Sequence, residues 1–426
     1  MAAPDSTREG PRPGRRPADV RAALARLAAI ERGSASEGER RAAEMLQQMF
    51  EQHELRASIE SEPAVGGFWQ STGIAAATAA LAGLLPSRGR AGRGASFALA
   101  AAAAGLMADD VDAGRHLLRR LLPKRTTSNV LAWTGEPAAT EQQPQETIAI
   151  VAHHDAAHTG LLFHPGLVPV IAKRFPRWYA KQNTSVQTGQ LLTAGPVLVA
   201  LGALSGVRPL RRFGVLWSTV TAALLADVAR SPVVSGANDN LSSVAVLLDL
   251  AGRLANRPVA GVRVLLLSTG SEESFMEGMR GFMRRHGGEL DPAHTRVIAL
   301  ECVGSPHLML LEGEGMLVMR DHDEALRTEI QAAADRAGIG LWRGLRLGAG
   351  ATDALTALRA GYRVACLAAC TDLKTPANYH WPTDVPENLD WNTIDATADV
   401  LESLIRGLGS DQPASSSAAS SSPARS

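Results

Sequence analysis

The stretch "ETIAIVAHHD", residues 146–155, joins a run of apolar residues to three polar residues at its end. The apolar run predicts a buried strand, because a strand that is covered on both faces shows no polar alternation. Residues two apart on a strand point to the same side, so we expect His153 and Asp155 to point together and His154 to point away. A buried strand that ends in two imidazoles and a carboxylate raises the question of what those side chains bind.

Strands and helices alternate along much of the remaining chain. Apolar runs that are rich in branched residues predict further strands at 127–135, 261–270, 296–304 and 362–369. Helical spacing of apolar residues predicts two helices within 18–54, broken at "RGSASEGER" with Ser34 or Ser36 as a cap, and later helices at 240–256, 323–338 and 393–409. This order predicts an α/β layer protein with a mostly parallel sheet.

Composition restricts the class of protein and its partners. The 43 basic residues equal the 43 acidic residues, so no overall field favours nucleic acid as a partner. Three cysteines are too few, and odd in number, for a disulfide framework. Residues 1–17 lack the apolar core of a secretory signal and predict a disordered leader, and the Ser/Ala/Pro-rich residues 409–426 predict a disordered tail. Residues 18–408 would then form the folded domain.

Four charge-free stretches interrupt the α/β pattern, at 63–87, 94–108, 182–207 and 213–226. They form two pairs, each joined by a short arginine-bearing link, "RGRAGR" or "RPLRR". We expect two hydrophobic helical hairpins, inserted into the domain at about 63–110 and 165–232.

These hairpins have two interpretations. They could be buried in a soluble cytoplasmic protein, because only two of the four stretches reach the roughly 20 apolar residues that span a bilayer. The regular arrangement of four charge-free segments favours a multi-pass membrane protein instead. Basic residues flank the stretches on both sides and do not decide the orientation, whereas the missing secretory signal favours a cytoplasmic catalytic part.

Further polar residues stand where strands are expected to end or helices to begin, which is where ligands bind in such sheets. Asp239 lies at a predicted helix start and could be only its cap. Glu272 and Glu273 are adjacent carboxylates just past a predicted strand, and they repel each other unless a cation or solvent intervenes. Glu301 ends an apolar strand, where an unpaired charge would be costly.

His380 lies in a proline-bordered loop, "NYHWPTD", that ends at Asp384. The chain thus offers two histidines and three carboxylates as metal ligands, with one carboxylate to spare: His153, His380, Asp239, Glu272, Glu273 and Glu301. This set suits two zinc ions about 3.5–4 Å apart, with one bridging carboxylate and an open position for water.

The order of these motifs resembles a known family. HxD, GA-x-DN, EE, a carboxylate before "xxG" at a strand end, and YH-x-P-x-D resemble metallopeptidase family 28, the co-catalytic zinc family of aminopeptidase Y and bacterial leucyl aminopeptidases. The likeness covers residues 18 to 408 outside the charge-free stretches. It implies a zinc-exopeptidase fold, a three-layer α/β sandwich around a mostly parallel mixed sheet, and hydrolysis of N-terminal peptide bonds.

The resemblance also implies a role for each ligand. Asp239 would bridge two zinc ions. His153 and Glu301 would complete the site of one ion, and Glu273 and His380 would complete the site of the other.

Two further roles follow from the resemblance, beside two departures from it. Glu272 would be the general base, which takes a proton from the attacking water and delivers it to the leaving amine, and Asp155 would orient the strand-end histidine. Glu301 stands where the family usually has Asp, and we expect ligation to survive the change. His154 stands where the family usually has Tyr, so an additional ligand from His154 or His158 is a weaker alternative.

Three functions remain open at this point. The first is a membrane-anchored dinuclear zinc aminopeptidase that acts on peptides. The second is a glutaminyl-cyclase-like acyltransferase that uses one zinc ion held by Asp239, Glu273 and His380 and leaves His153 idle. The third is a non-catalytic relative of the fold, which the complete ligand set disfavours.

Overall fold

The computed structural model describes residues 17–86, 89–135 and 146–410. The predicted leader, 1–17, and the predicted tail, 409–426, lie outside these ranges except at their inner ends, which belong to the first and last helices. Arg88, at the start of the first arginine-bearing link, also lies outside them. The disorder of the two termini stays a prediction.

A seven-stranded mixed sheet forms the centre of the described chain. In spatial order its strands are β1 (Arg56–Ala64), β2 (Arg125–Thr134), β4 (Val262–Thr269), β3 (Glu146–His153), β5 (Thr295–Glu301), β10 (Arg363–Cys370) and β6 (His307–Leu310). Neighbours from β4 to β10 pair in parallel, whereas β2 and β6 run antiparallel to their neighbours. A small second sheet contains β8 (Arg320–Asp321), β7 (Gly313–Glu314) and β9 (Arg346–Leu347).

Helices cover both faces of the large sheet. Ile148 and Ile150 of β3 pack into one core, while Val151 packs into the core on the opposite face. The first core contains α1 (Pro17–Ala28), α2 (Glu37–Glu51), α9 (Ser242–Asn256), α11 (Glu324–Ala337) and α13 (Trp391–Ser410). The second contains α10 (Glu277–His286) and α12 (Asp353–Arg359). The predicted α/β sandwich is confirmed.

The inner strands and the long helices lie where the sequence predicts them, with ends shifted by a few residues. Ser36, of the two candidates, caps α2, because its Oγ accepts a hydrogen bond of 3.1 Å from the backbone N of Glu39. The local sequence pattern did not predict β1, which is rich in polar residues and whose partly exposed position at the sheet edge needs no apolar run. It also missed the two-residue strands of the small sheet.

Long helices occupy the four charge-free stretches: α3 (Phe68–Leu84), α4 (Gly89–Val111), α7 (Thr188–Ser205) and α8 (Arg208–Val228). They pack against one another, and we call this group the helical unit. Its base, which includes Ala75 and Met107, packs into the second core beside the sheet. Its tip is the opposite end, where α3 leads to α4 and α7 leads to α8. Two shorter helices, α5 (Leu167–Arg174) and α6 (Pro176–Ala180), precede α7. The description of these helices as insertions stays a prediction.

Only part of the predicted membrane topology is supported. Among the described residues, α4 and α7 are long and apolar enough to cross a membrane, a test that core helices of soluble proteins also pass. The helix α3 has only 17 residues, and α8 begins with three arginines in "RPLRR". Length and hydropathy therefore do not support four spanning helices.

The packing of α7 on α8 can be tested at a glycine. A Cβ atom at Gly214 would lie 2.6 Å from the backbone N of Val199. We expect Gly214→Ala to lower the free energy of unfolding by about 1–3 kcal/mol, because the overpacking outweighs the helix propensity of alanine. Gly105→Ala in α4 is the matched control, since nothing lies within 4 Å of its Cβ position. Thermal unfolding should show opposite signs, and a higher Tm in both variants would contradict this packing.

Candidate metal centre

The polar clusters meet at the carboxyl ends of the central strands. Parallel pairing places His153, the last residue of β3, opposite Thr269, the last residue of β4. The chain then reaches Glu272 three residues beyond β4. Glu301 is the last residue of β5, the neighbour of β3 on its other side. The three strands are parallel, so their polar ends share one edge of the sheet.

Two further groups reach this edge from loops. Asp239 lies in the turn Ala237–Leu241 before α9, and His380 lies in the loop after β10. The carboxylate of Asp384 accepts hydrogen bonds from the backbone N of Asn238 at 2.6 Å and of Asp239 at 3.1 Å. One buried carboxylate therefore holds the turn of Asp239 against the loop of His380.

Asp239 lies between the two histidines. Its Oδ1 is 3.2 Å from Nε2 of His153, and its Oδ2 is 3.1 Å from Nε2 of His380. The Nε2 of His380 is also 3.1 Å from Oε1 of Glu273, and the Nε2 of His153 is 4.0 Å from Oε1 of Glu301. The structure thus brings the five predicted ligands into one pocket, as two groups that share Asp239.

The donor atoms of this pocket fit a metal ion. Four of them are buried and have no hydrogen-bond partner among the described residues: His153 Nε2, Asp239 Oδ1, Glu273 Oε1 and His380 Nε2. Buried polar atoms without partners are costly. Two atoms bound to one tetrahedral zinc ion at about 2.0–2.1 Å lie about 3.3–3.4 Å apart, close to the spacings around Asp239. Nitrogen and carboxylate donors at these spacings suit zinc.

Cys302 lies beside the predicted ligands, although no sequence motif pointed to it. Ligand atoms of Asp239, Glu301 and Cys302 lie within 4.8 Å of one another. The Cys302 Sγ donates to Oε1 of Glu301 at 3.2 Å, and burial raises the pKa of the thiol well above its ordinary value. The carboxylate of Glu301 stays the predicted ligand, and the neighbouring thiol donates a hydrogen bond to it.

The charges in the pocket favour a bound cation. Burial lowers the pKa of His380, but the carboxylates of Glu273 and Asp239 together have a larger and opposite effect. The pKa of His380 is therefore raised to about 10. Burial and the nearby Asp239 raise the pKa of Glu301 to about 7. The neighbouring carboxylates therefore favour the protonated forms of His380 and Glu301. A zinc ion would compete with those protons for the same atoms.

Asp155 connects the strand-end histidine with the glutamate pair. Its Oδ1 is 3.3 Å from Nδ1 of His153. The same carboxylate accepts hydrogen bonds from the backbone N of Glu272 at 3.0 Å, the backbone N of Glu273 at 3.2 Å and the hydroxyl of Ser34 at 2.6 Å. These contacts suit its predicted part in orienting His153, and they also place the loop that carries both glutamates.

Glu272 borders the pocket without joining either ligand group. Its Oε2 is 3.8 Å from Nε2 of His153, and its side chain is one tenth exposed. Burial raises the pKa of Glu272 well above its ordinary value, and the carboxylates of Glu301 and Glu273 add to this rise against the lowering effect of His153. A carboxylate whose pKa is raised is a stronger base than a free carboxylate, which suits proton transfer.

His154 and His158 do not reach this pocket. His154 points to the other side of the strand, where its Nδ1 is 3.0 Å from Oγ of Ser268, and burial lowers its pKa to about 4. The Nδ1 of His158 is 2.6 Å from the carbonyl oxygen of Ser231, and its ring packs on Trp69. The weaker alternative of an additional histidine ligand is not supported.

Glu39 of α2 supports the site, although the sequence analysis did not select it. Its buried carboxylate accepts hydrogen bonds from the backbone N of Ala35, Ser128 and Ser271, and from the hydroxyl of Ser271. It thereby holds the chain immediately before the glutamate pair. The only sequence signal was its position three residues after Ser36, the spacing of a capping box.

Comparisons with known proteins agree with this geometry. The sequence profile of peptidase family M28 matches residues 219–405. The structure is similar to BSAP, a zinc aminopeptidase from Bacillus subtilis, with 13% identity, a TM-score of 0.50 and coverage of 91% of this chain and 94% of that chain. It is also similar to a glutaminyl cyclase from Bacteroides thetaiotaomicron, with 12% identity, a TM-score of 0.51 and coverage of 91% and 96%. No curated protein sequence matches the chain.

The fold is therefore that of the zinc exopeptidases. The carboxyl ends of its central strands carry a pocket of histidines and carboxylates. The resemblance to metallopeptidase family 28, predicted from the order of the motifs, is confirmed by the family match over residues 219–405. At these low identities the similar structures share the fold and leave the specific activity open. His153 precedes the matched range, so its assignment depends on the geometry of the pocket.

Asp155→Asn tests how the pocket is positioned. The variant removes the negative charge that faces Nδ1 of His153. The NH2 group that replaces one carboxylate oxygen can no longer accept a backbone hydrogen bond. We expect zinc affinity to fall about 10–100-fold, as for other partners of metal-binding histidines. Competition with a chelator measures the affinity. Ser34→Ala, which removes only a hydroxyl donor to the same carboxylate, should change it little. Wild-type affinity in Asp155→Asn would contradict the positioning.

Proposed function

We propose that this protein is a zinc-dependent aminopeptidase that hydrolyses the first peptide bond of its substrate. The observation that carries the proposal is the position of Asp239, whose two carboxylate oxygens each face a histidine, at 3.2 and 3.1 Å. A carboxylate shared by two ligand groups suits a pair of cations about 3.5–4 Å apart. We therefore propose two zinc ions, one held by His153, Asp239 and Glu301 and the other by Asp239, Glu273 and His380.

Glu272 is the proposed general base. Zinc bound in this pocket would polarise the substrate carbonyl and lower the pKa of the attacking water. The Glu272 carboxylate takes a proton from that water, and the resulting carboxylic acid gives it to the nitrogen of the leaving amine. Its backbone N is fixed by Asp155, so the side chain starts from a defined position beside the pocket.

The charge of the pocket supports a preference for a free amino terminus. Glu272 lies beside the three proposed ligand carboxylates and belongs to neither ligand group, so it adds a negative charge that the zinc ligands do not use. A substrate ammonium group would be attracted to this carboxylate, whereas a blocked terminus would not.

Glutaminyl cyclisation is the second candidate, because the structure is also similar to a glutaminyl cyclase. Asp239, Glu273 and His380 would then hold a single zinc ion. The close approach of His153 to Asp239 favours two ions instead, since a single ion leaves the Nε2 of His153 buried without a partner. The complete set of ligands beside a base also disfavours a non-catalytic relative of the fold.

Glu272→Gln separates proton transfer from metal binding. We expect kcat on aminoacyl-nitroanilides to fall at least about 10²-fold, because the amide cannot accept the proton. Zinc content should match the wild type, since Glu272 belongs to neither ligand group. Glu289→Gln, at a largely exposed glutamate, is the isosteric control and should keep full activity. Normal turnover in Glu272→Gln would refute the assignment of the base.

Zinc titration of the chelator-treated protein tests the number of ions and the electrostatics together. We expect hydrolysis to return at two zinc ions per chain, whereas restoration at one ion with cyclisation of N-terminal glutaminyl peptides would favour the second candidate.

Zinc must displace the protons on its ligands, so its affinity should fall as the pH falls. More protons should be released at pH 6 than at pH 9, because Glu301, with a pKa of about 7, holds its proton only at the lower pH. A dye in weak buffer measures this release.

We also propose that the helical unit lies in a lipid bilayer. Its outer surface carries large apolar side chains, and its interior contains small polar side chains beside alanine and valine. Large apolar side chains on its outside are more than half exposed: Leu81, Leu84, Leu204 and Leu216. Small polar side chains are buried inside it: Ser71, Thr72, Ser96, Thr193, Ser218 and Thr221. Close packing through small residues inside, with leucine outside, is typical of helices in membranes.

The dimensions of the helical unit agree with this location. Two of its helices, α4 and α7, contain 23 and 18 residues and are apolar enough to cross a membrane. Their lengths of about 27–35 Å are close to a hydrocarbon layer of about 30 Å. The metal centre would then lie near the bilayer surface, where peptides released at membranes are plausible substrates. We propose a cytoplasmic position for this catalytic part.

A further inference from the structure

We propose that a cavity at the tip of the helical unit binds the phosphate group of an anionic phospholipid. The cavity has a volume of about 260 Å³ and lies between the start of α4, the end of α7 and the start of α8. Four arginines line it: Arg90, Arg93, Arg208 and Arg211. This inference depends on the proposed bilayer location and is independent of the proposed enzymatic activity.

The positive charge of the four arginines at the tip is not balanced by nearby acidic side chains. The sequence contains no Asp or Glu in 63–108 or in 156–226, the stretches from which the tip is built. Within the described ranges, none of the four arginines forms a side-chain hydrogen bond or an ion pair. The Nη1 atom of Arg211 is buried and lacks a partner there. A buried guanidinium nitrogen without an acceptor is costly, so the cavity is suited to an anion.

The backbone adds to this positive potential and provides the space. The N-termini of α4 and α8 lie at the cavity, and helix N-termini carry partial positive charge and free N–H groups. Gly206, just after α7, leaves room for the side chain of Arg93, and Gly202 within α7 lets the backbone of α8 approach closely. A Cβ at Gly206 would lie 2.9 Å from Nη1 of Arg93, and one at Gly202 would lie 2.5 Å from the backbone N of Arg211.

The surroundings of the cavity indicate which anion it binds. Guanidinium groups match the oxygens of phosphate in paired hydrogen bonds. Leu84, the last residue of α3, and Leu204, in the last turn of α7, lie at the tip and are 69% and 64% exposed. An ion from solution would not cover these leucines. An anionic phospholipid places acyl chains beside its phosphate, so one molecule can satisfy both the arginines and the apolar surface.

The test uses the full chain purified in detergent and native mass spectrometry with phosphatidylglycerol, phosphatidylcholine or inorganic phosphate. We expect saturable binding of phosphatidylglycerol, at least about tenfold tighter than that of phosphatidylcholine. The double variant Arg93→Gln/Arg211→Gln should weaken it at least about tenfold, the scale of one charge-assisted hydrogen bond. Arg212→Gln is the matched control, because Arg212 lies at the tip but does not line the cavity.

Arg93→Lys/Arg211→Lys provides a second variant that keeps the charge and loses the paired geometry, and we expect an intermediate affinity. Flotation with phosphatidylcholine vesicles tests the bilayer location separately, and failure to float would refute that location and the lipid together. Flotation with equal phosphatidylglycerol binding by the wild type and the Gln double variant would refute the arginine site alone. Arginine-dependent binding of inorganic phosphate without phosphatidylglycerol would refute the lipid as occupant.

Discussion

The sharing of one carboxylate by two histidines is the constraint on which the site depends. Asp239 is buried, and the two imidazoles on either side of it lower its pKa against the effect of burial. Its place is set by Asp384, which accepts two backbone hydrogen bonds from the same turn. A shift of this turn by about 1 Å would separate the two ligand groups, because each has only one oxygen of Asp239 available.

The fold supplies rigid supports for this arrangement. The ends of β3 and β5 carry His153 and Glu301, and strands inside a sheet cannot move independently of their neighbours. The glutamate pair lies on a loop instead, and two buried carboxylates compensate for that. Asp155 and Glu39 accept hydrogen bonds from successive backbone N–H groups of the loop. These bonds fix the loop backbone about as firmly as strand pairing would.

The helical unit and the metal centre are physically connected. The Asp227 carboxylate in α8 accepts a hydrogen bond of 2.7 Å from the backbone N of Leu161. Two residues later, the ring of Phe163 packs edge-on against His380, with centroids 4.3 Å apart. The end of α8 therefore positions a side chain beside a proposed zinc ligand. Movement of the helical unit would therefore change the position of this wall of the pocket.

The sequence by itself determined the buried central strands, the long helices and the types of side chain that form the site. These are local properties: an apolar run predicts a strand, and a polar residue at its end predicts a ligand. Only the tertiary structure decided which polar residues meet, because the sheet order β4-β3-β5 differs from the chain order. The same holds for β1 and Glu39, whose local patterns are those of an exposed strand and a helix surface. The structure also decided which sides of α3, α4 and α7 face inward, because their sequences carry almost no periodicity that distinguishes one face from another.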